Sequence, residues 1–373
     1  MAEITIGSRI KKSPFYAATI EAGVTHFTIY NRMYMPTSYG DPLGEYHRLT
    51  SGVSMWDVGA ERQVEILGPD ARSFCDRVSA RDVSKLKPGR ARYAPICNHD
   101  GILINDPIAL CLTEERWWLS IADGDLLQHC QAIAGSEGFD VDVFEPDVSP
   151  LAVQGPKAAD LARDLFGTEL VETLGFFHHR EVELDGIAMV VCKSGWSRQG
   201  GYELFLTDGT KGQALWELVA TAGEKYGIAP GTPHHMERIE NGLLSYGSDT
   251  DDDTDPIEAG LSQWCDMDRP FVGRDAIAAR HEEPEHRRTL VNVYVDVVDR
   301  NELWTADQPY PASVDGQPAG FLRTAVWSPK LARFIGLALI PRRHAEPGTY
   351  LDIGAAGIVT GMTVTDVPFG VSL

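Results

Sequence analysis

The residues able to do chemistry are scattered along the chain. Six cysteines, Cys75, Cys97, Cys111, Cys130, Cys192 and Cys265, offer nucleophiles, metal ligands or redox partners, but no two form a C-x-x-C pair. That spacing argues against a structural zinc site and against a disulfide framework. Small core residues in a reducing compartment are the expectation for all six. The acidic run DTDDDTD at 249–255 offers carboxylates for a divalent cation. It lacks the spaced glycine and terminal glutamate of a calcium loop, so a solvated loop is expected there, and no metal site. No G-x-G-x-x-G or Walker pattern occurs, which leaves dinucleotide and nucleoside triphosphate folds without local support. The formal charge of −21, from 33 basic and 54 acidic residues, would repel a phosphate backbone over most of the surface. Nucleic acid is therefore not an expected partner.

Length and hydrophobic pattern say what must position such groups. A chain of 373 residues, 43% hydrophobic and 23% charged, is long enough for two or three domains with ample cores. No run of eighteen uncharged apolar residues is present to span a bilayer. The opening MAEITIGSRIKKSPFY has two lysines with no apolar stretch after them, so the cytoplasm is the expected compartment. HFTIYNRMYMP reads as strand and turn ended by Pro36, QVEILG at 63–68 as a half-buried strand, and PDARSFCDRVSARDV as a helix. ARYAPICNHDGILINDPIALCL predicts two strands around an N-H-D-G turn, and DGDLLQHCQAIAGSEG a helix with an Asp start and a Gly stop. REVELDGIAMVVCKSG predicts a hairpin about Asp185-Gly186, followed by the strong strand GGYELFLT. KGQALWELVATAGEKYG and TPHHMERIENGLLSYG predict two amphipathic helices. From about residue 285 the segments LVNVYVDV, FIGLALIP and GIVTGMTVTDVPF read as a separate all-β domain.

A series of blocks, in order, carries a resemblance. These are GVSMWDVG at 52–59, DVSKLKPGRARYAPICNHDGILINDPI at 82–108, LAVQGPKA at 151–158, SGWSRQGGYELF at 194–205, ERIENGLLSYGSD at 237–249, DPIEAGL at 255–261 and FVGRDAI at 271–277. From about Pro36 to its end the chain resembles the glycine-cleavage T-protein (aminomethyltransferase) family and its folate-dependent relatives. The resemblance implies an α+β fold of three domains set like a clover leaf around a channel that holds tetrahydrofolate. A first folate-binding α+β domain would cover 1–140, completed by part of 230–280. A ferredoxin-like folate-binding domain would cover 141–280 and a C-terminal β-barrel or jelly-roll domain 281–373. Fold alone does not fix the reaction, so the residues are read one at a time.

By the same resemblance, Glu203 in GGYELFL matches the pterin-binding glutamate, whose carboxylate accepts two donors from the amino-pyrimidine edge. Arg238 in ERIENG matches an arginine near the folate, and Tyr93 in ARYAP and Trp196 in SGWS match aromatic residues lining the pterin. Ser120 stands where relatives usually carry a folate-contacting Asn. The departure is at INDPI. The T protein has two consecutive acids there, the first beside the folate nitrogen that takes the carbon, whereas this chain has Asn105 followed by Asp106. An amide cannot shuttle a proton. Aminomethyl transfer must manage one as the amine leaves. Methyl transfer from a sulfonium needs none for its neutral thioether leaving group, and catalysis then rests on alignment.

Asn105-Asp106-Pro107, WWLSIADGDLL at 117–127, FEPDVSPLAVQGPKA and GLLSYGSD, together with SRIKKSPFY ahead of GVTHFTIYNRMYMP, look like the dimethylsulfoniopropionate demethylase branch of the family. That branch moves one methyl group to tetrahydrofolate, leaving methylmercaptopropionate and methyltetrahydrofolate. A sulfonium zwitterion needs aromatic faces for its cation and a donor for its carboxylate. Tyr30, Phe15, Tyr16 and Trp196 are candidates for the first task and Arg32 for the second, with packing or surface pairing as the alternative. The other readings are an aminomethyltransferase or another N- or O-methyl demethylase of the family, and a folate-binding accessory protein. Relatives of the last kind carry a K-G-C-x-x-G-Q-E motif that is absent from this sequence. Small-molecule donor and folate are the expected partners, and a homodimer stays open. Changing Asn105 to Asp is expected to leave methyl transfer partly intact in an assay of methyltetrahydrofolate formation. Complete loss with folding preserved would give the amide a role beyond this account.

Overall fold

The computed structural model describes residues 5–282, 287–297, 309–354 and 359–366. The sequence segment GIVTGMTVTDVPF falls partly outside them. The chain divides into two compact units, one of Met1–Cys75, Val83–Tyr93 and Pro107–His234, the other of Asp76–Asp82, Ala94–Asp106 and His235–Leu373.

In the first unit, six strands form one sheet in the order His179–Leu184, Ile187–Cys192, Gly201–Leu206, Ser149–Gln154, Ser54–Asp57 and Ala229–Gly231. All neighbours are antiparallel except the last pair. Side chains alternate between faces. Met55, Leu151, Val153, Tyr202, Leu204 and Val191 turn to one face, where Leu161 of helix Ala158–Phe166 and Leu215, Trp216 and Val219 of helix Gly212–Gly223 complete a core. On the other face lie Val190, Cys192 and Phe205. They pack against Ala91, Leu110 and Trp118 of a second sheet, ordered Asp142–Phe144, Gln63–Leu67, Arg116–Ser120, Ile108–Cys111 and Arg90–Tyr93. Because both of its faces are covered, strand Ser149–Gln154 is buried at every position. Each large apolar side chain so buried contributes roughly 1.5–3 kcal/mol.

The expected turn in HFTIYNRMYMP is a hairpin of His26–Tyr30 and Met33–Ser38. Its turn residues Asn31 and Arg32 have φ of 49° and 58°, the pattern of a type I′ turn. Asp185-Gly186 likewise turns the hairpin His179–Leu184 to Ile187–Cys192, with both residues at positive φ. The helix expected in DGDLLQHCQAIAGSEG runs from Leu126 to Glu137 and stops at Gly138 in the left-handed region.

Three expectations are corrected. The segment 90–111 is not two strands but four. Arg90–Tyr93 pairs with Ile108–Cys111 in the first unit, whereas Ile96–Cys97 pairs with Leu103–Asn105 in the second. Pro95 and Pro107 stand at the two breaks, and a residue without an N–H cannot continue a ladder. The helix in TPHHMERIENGLLSYG covers only His235–Glu240, ending before Gly242 at φ 66°. The acidic run is solvated only in its middle, where Asp252 and Asp253 are exposed and Asp251 is half-buried, and its two ends are buried. Asp249, Thr250, Thr254 and Asp255 are at most 1% exposed.

In the second unit, strands Arg288–Val297, Arg333–Pro341, Gln317–Ser328, Tyr310–Val314, Tyr350–Ile353 and Val359–Thr365 close into a barrel, which leaves no sheet edge to pair with another chain. Gly320, at φ 86°, is required there, because a Cβ would lie 2.2 Å from the carbonyl oxygen of Leu339. Asp251, half-buried, and the buried Asp255 and Glu258 are paired with basic side chains of this unit. Arg288 Nη1 reaches Asp251 at 2.7 Å and its Nη2 reaches Glu258 at 3.4 Å, while Arg280 Nε and His281 Nε2 reach Asp255 at 3.3 and 2.9 Å. Among the described residues no helix is long and apolar enough to cross a membrane.

Burial opposes the charged form of Asp251, but hydrogen bonds from Arg288 and Thr254 outweigh it and hold its pKa at about 2. A carboxyl depressed in the folded state stabilises it above the unfolded pKa near 4, and that contribution is lost as pH falls toward 2. The thermal midpoint of Asp251→Asn should therefore lie below wild type at pH 6, with the gap closing between pH 4 and 2. A gap independent of pH would remove the ion pair as its cause.

Candidate functional site

Four carboxylates are buried in the first unit, and their hydrogen bonds set one apart. Glu65 accepts from Arg116 Nε at 2.7 Å, Arg116 Nη2 at 3.2 Å and Trp118 Nε1 at 2.8 Å. Asp57 accepts from Ser13 Oγ at 2.5 Å and the Gly59 backbone N–H at 3.0 Å, and Glu45 from Tyr39 N–H and Ser38 Oγ. Glu203 is 7% exposed, and among the described residues only Ser194 Oγ donates to it, at Oε2. Burial pushes its pKa up, against the lowering effect of that single bond. A buried carboxylate with one donor has acceptor capacity left over, and satisfying it favours a ligand with paired N–H groups.

Strand register explains why Glu203 points where it does. It pairs with Cys192 on one side and Ala152 on the other, and directly paired residues share a face. Glu203 therefore lies on the face of Phe205 and Val190, one row along from the seam where Phe205 and Trp118 approach with ring centroids 6.1 Å apart. On the facing sheet, Tyr93 pairs with Ile108, Ile108 with Ser120, and Ser120 with Gln63. Tyr93 and Ser120 thus occupy one cross-strand row, again one row from the Ala91–Leu110–Trp118 row of the seam. Gln63 Nε2 donates to Ser120 Oγ at 3.0 Å, while the buried Gln63 Oε1 has no partner among the described residues. Trp196, half-buried, lies in the loop between strands Ile187–Cys192 and Gly201–Leu206 that also carries Ser194. The first unit so brings Glu203, Ser120 and Tyr93 to the two packed sheet faces and sets Trp196 two residues from the serine that binds Glu203.

The second unit holds Asn105, Asp106 and Arg238. Asn105 ends strand Leu103–Asn105, pairs with Ile96 and is fully buried; Asp106 follows it half-buried. Arg238, in helix His235–Glu240, is fully buried. Its Nη1 binds Asp249 Oδ2 at 2.6 Å and the Leu243 carbonyl at 3.2 Å, and its Nε donates to His235 Nδ1 at 3.2 Å. As packed, Arg238 serves as half of a buried ion pair.

The GCVT N-terminal domain matches residues 15–269, and the glycine cleavage T-protein C-terminal barrel domain matches residues 288–369. The chain belongs to the glycine-cleavage T-protein family. It is 36% identical to a dimethylsulfoniopropionate demethylase of Ruegeria pomeroyi, over 98% of this chain and 99% of that one. It is 28% identical to an aminomethyltransferase of Symbiobacterium thermophilum, over 96% and 97% of the two chains. The glycine cleavage system aminomethyltransferase T of Bartonella henselae has the same fold, with a TM-score of 0.82 at 22% identity over 96% of this chain and 98% of that one.

For a T-protein family member, the N-terminal segment is tied down by one buried acid. Ser13 Oγ donates to Asp57 and accepts from Phe15 N–H at 3.2 Å. Burial, against those hydrogen bonds, pushes the Asp57 pKa up to about 6. Phe15 is fully buried in the apolar core beside Leu215 and Trp216, where no donor could reach its ring. Tyr16 joins Phe27 and Tyr34, with centroids 5.4 Å from each, and Lys12 Nζ lies 4.5 Å over its ring. An ammonium already occupies that aromatic face. Tyr30, half-buried, ends strand His26–Tyr30. Arg32 stands exposed at the hairpin tip, 2.7 Å from Asp125. Of these four, Phe15 is closed inside the core and Arg32 is paired with Asp125. Sequence reasoning missed Ser194 and Gln63. A polar residue inside an otherwise apolar strand, as Gln63 is in QVEIL, is the signal that marks the second.

Truncating Arg238 to Met should cost about 3–5 kcal/mol, because Asp249 is left charged and buried. Urea denaturation of Arg238→Met and of Arg238→Met with Asp249→Leu tests this. The double variant should recover most of the loss, and equal losses in both would show that the charge pair is not the cause.

Proposed function

We propose that the chain is a tetrahydrofolate-dependent methyltransferase acting on a small onium donor, dimethylsulfoniopropionate first among them. Glu203 carries this reading. A buried carboxylate with one serine donor, on a sheet face whose facing neighbour presents Ser120 and Tyr93, suits the flat, donor-rich edge of a pterin. Trp196 and Tyr93 supply ring faces for the heterocycle. Tetrahydrofolate, when bound, supplies a neutral ring nitrogen as methyl acceptor.

The reaction is a direct substitution. The methyl carbon–sulfur bond breaks with its electron pair going to sulfur, a carbon–nitrogen bond forms from the acceptor lone pair, and the proton on that nitrogen is released. Asp106 is the carboxylate this chain offers for that proton. Asn105 holds position by hydrogen bonding and takes no part in proton transfer. Binding and orientation then account for the rate. Products are methylmercaptopropionate and 5-methyltetrahydrofolate. The relative in Ruegeria pomeroyi supports this choice of donor. Aminomethyl transfer is the second reading, supported by the aminomethyltransferase relatives and opposed by the amide at position 105.

Incubation with tetrahydrofolate and a panel of sulfonium, betaine and methylglycine donors, followed by identification of the folate product, tests the reading. The expected product is 5-methyltetrahydrofolate from dimethylsulfoniopropionate; methylenetetrahydrofolate would establish aminomethyl transfer instead. Glu203→Ala should weaken tetrahydrofolate binding by about ten-fold or more, the loss of a charge-assisted pair, while the thermal midpoint moves little. Near-normal affinity by calorimetry would remove Glu203 from the site.

A further inference from the structure

The sequence block LAVQGPKA ends a strand whose every residue is buried, and its last residue is polar. Gln154 is 1% exposed. Both ends of its amide are used on one loop. Nε2 donates to the Ser194 carbonyl oxygen at 2.9 Å, and Oε1 accepts from Ser197 Oγ at 2.8 Å. The loop closes over the amide so tightly that side chains are excluded on both flanks. A Cβ at Gly195 would lie 2.0 Å from Gln154 Nε2, and one at Gly201 would lie 2.4 Å from the Val153 carbonyl oxygen and 2.5 Å from Nε2. Both glycines have positive φ, 141° and 159°. The backbone is fixed as well, since Gly155 N–H donates to the Gly200 carbonyl at 2.8 Å. The two bonded positions, 194 and 197, bracket Trp196, and Ser194 is the donor to Glu203.

We propose that Gln154 is a positioning residue that clamps the loop 194–201 and thereby sets both the Ser194 hydroxyl on Glu203 and the Trp196 ring for the pterin. This rests on the folate reading of Glu203. A loop with three glycines, Gly195, Gly200 and Gly201, has little stiffness of its own. The amide supplies two of the bonds that hold its conformation, and glycine at 195 is what lets the amide approach. The pairing of LAVQG with SGWSRQGG then has one physical cause.

The test uses the full chain with Gln154→Met, which keeps length and apolar bulk but can neither donate nor accept. Two readouts separate the clamp from the ligand. Native-state trypsin nicking at Lys193 or Arg198 reports the loop without folate and should quicken about five-fold or more as local opening becomes easier. The dissociation constant of tetrahydrofolate should rise about ten-fold, as for loss of a buried hydrogen-bond pair, with the thermal midpoint shifted far less than by Arg238→Met. Ser197→Ala, a half-buried site that removes one of the two clamp bonds, should give the same pattern at smaller size and keeps the test open if Gln154→Met fails to fold. Unchanged nicking in both variants would overturn the clamp. Faster nicking with unchanged tetrahydrofolate affinity would overturn the link between loop and pterin while the folate reading stands. Failure of the wild-type protein to bind tetrahydrofolate would overturn the folate reading and the ligand half of the proposal, with the nicking rates still deciding the clamp.

Discussion

A carboxylate in the middle of a packed sheet is costly to keep charged, and the first unit is arranged around one that its own residues leave undersupplied. Glu203 sits on strand Gly201–Leu206, with a paired strand on each side and a second sheet packed on its face, so water has little access to it. Glu65, equally buried, is closed off by an arginine and a tryptophan, and its capacity is spent. The difference between the two is one of donors. It separates an acid that stabilises the fold from one that can bind a ligand's N–H groups.

The second unit applies the same rule to the opposite end. A strongly acidic chain would be expected to keep its densest run of acids in water. Asp252 and Asp253 do face water, but Asp249 and Asp255 at the ends of that run, and Glu258 beyond it, are buried, each held by arginine or histidine. Arg288 opens the first barrel strand and binds both Asp251 and Glu258, so the ion network joins the barrel to the segment that precedes it. Removing one partner of such a network costs more than the network contributes, because an uncompensated charge is left behind. Arg238 belongs to this group of residues by its burial and its bond to Asp249.

At position 105 chemistry and packing meet. Asn105 is fully buried at the end of a short strand, where an ionised aspartate would need a compensating partner. An amide is neutral at every pH, so the position tolerates burial without a counter-charge.

Much of this was legible in the sequence, and the reasons differ by element. Period-two alternation and turn chemistry marked GGYELFL as a strand and Asp185-Gly186 as the turn of the hairpin before it, because both depend on neighbours along the chain. The barrel was legible in its valine-rich short strands, and ordered motif blocks carried the family. Other features depend on residues far apart in the chain. The split of 90–111 into two hairpins depends on which partner each half finds beyond Pro95 and Pro107. The burial of Asp255 and Glu258 depends on Arg280, Arg287 and Arg288, some thirty residues later. Phe15 reads as an aromatic available to a ligand until the core closes over it. Local pattern determines what a segment can be, because propensity and periodicity act over a few residues. Which polar side chain ends up satisfied, and which is left with room for a ligand, is decided only when distant donors are brought within about 3 Å by the packed fold.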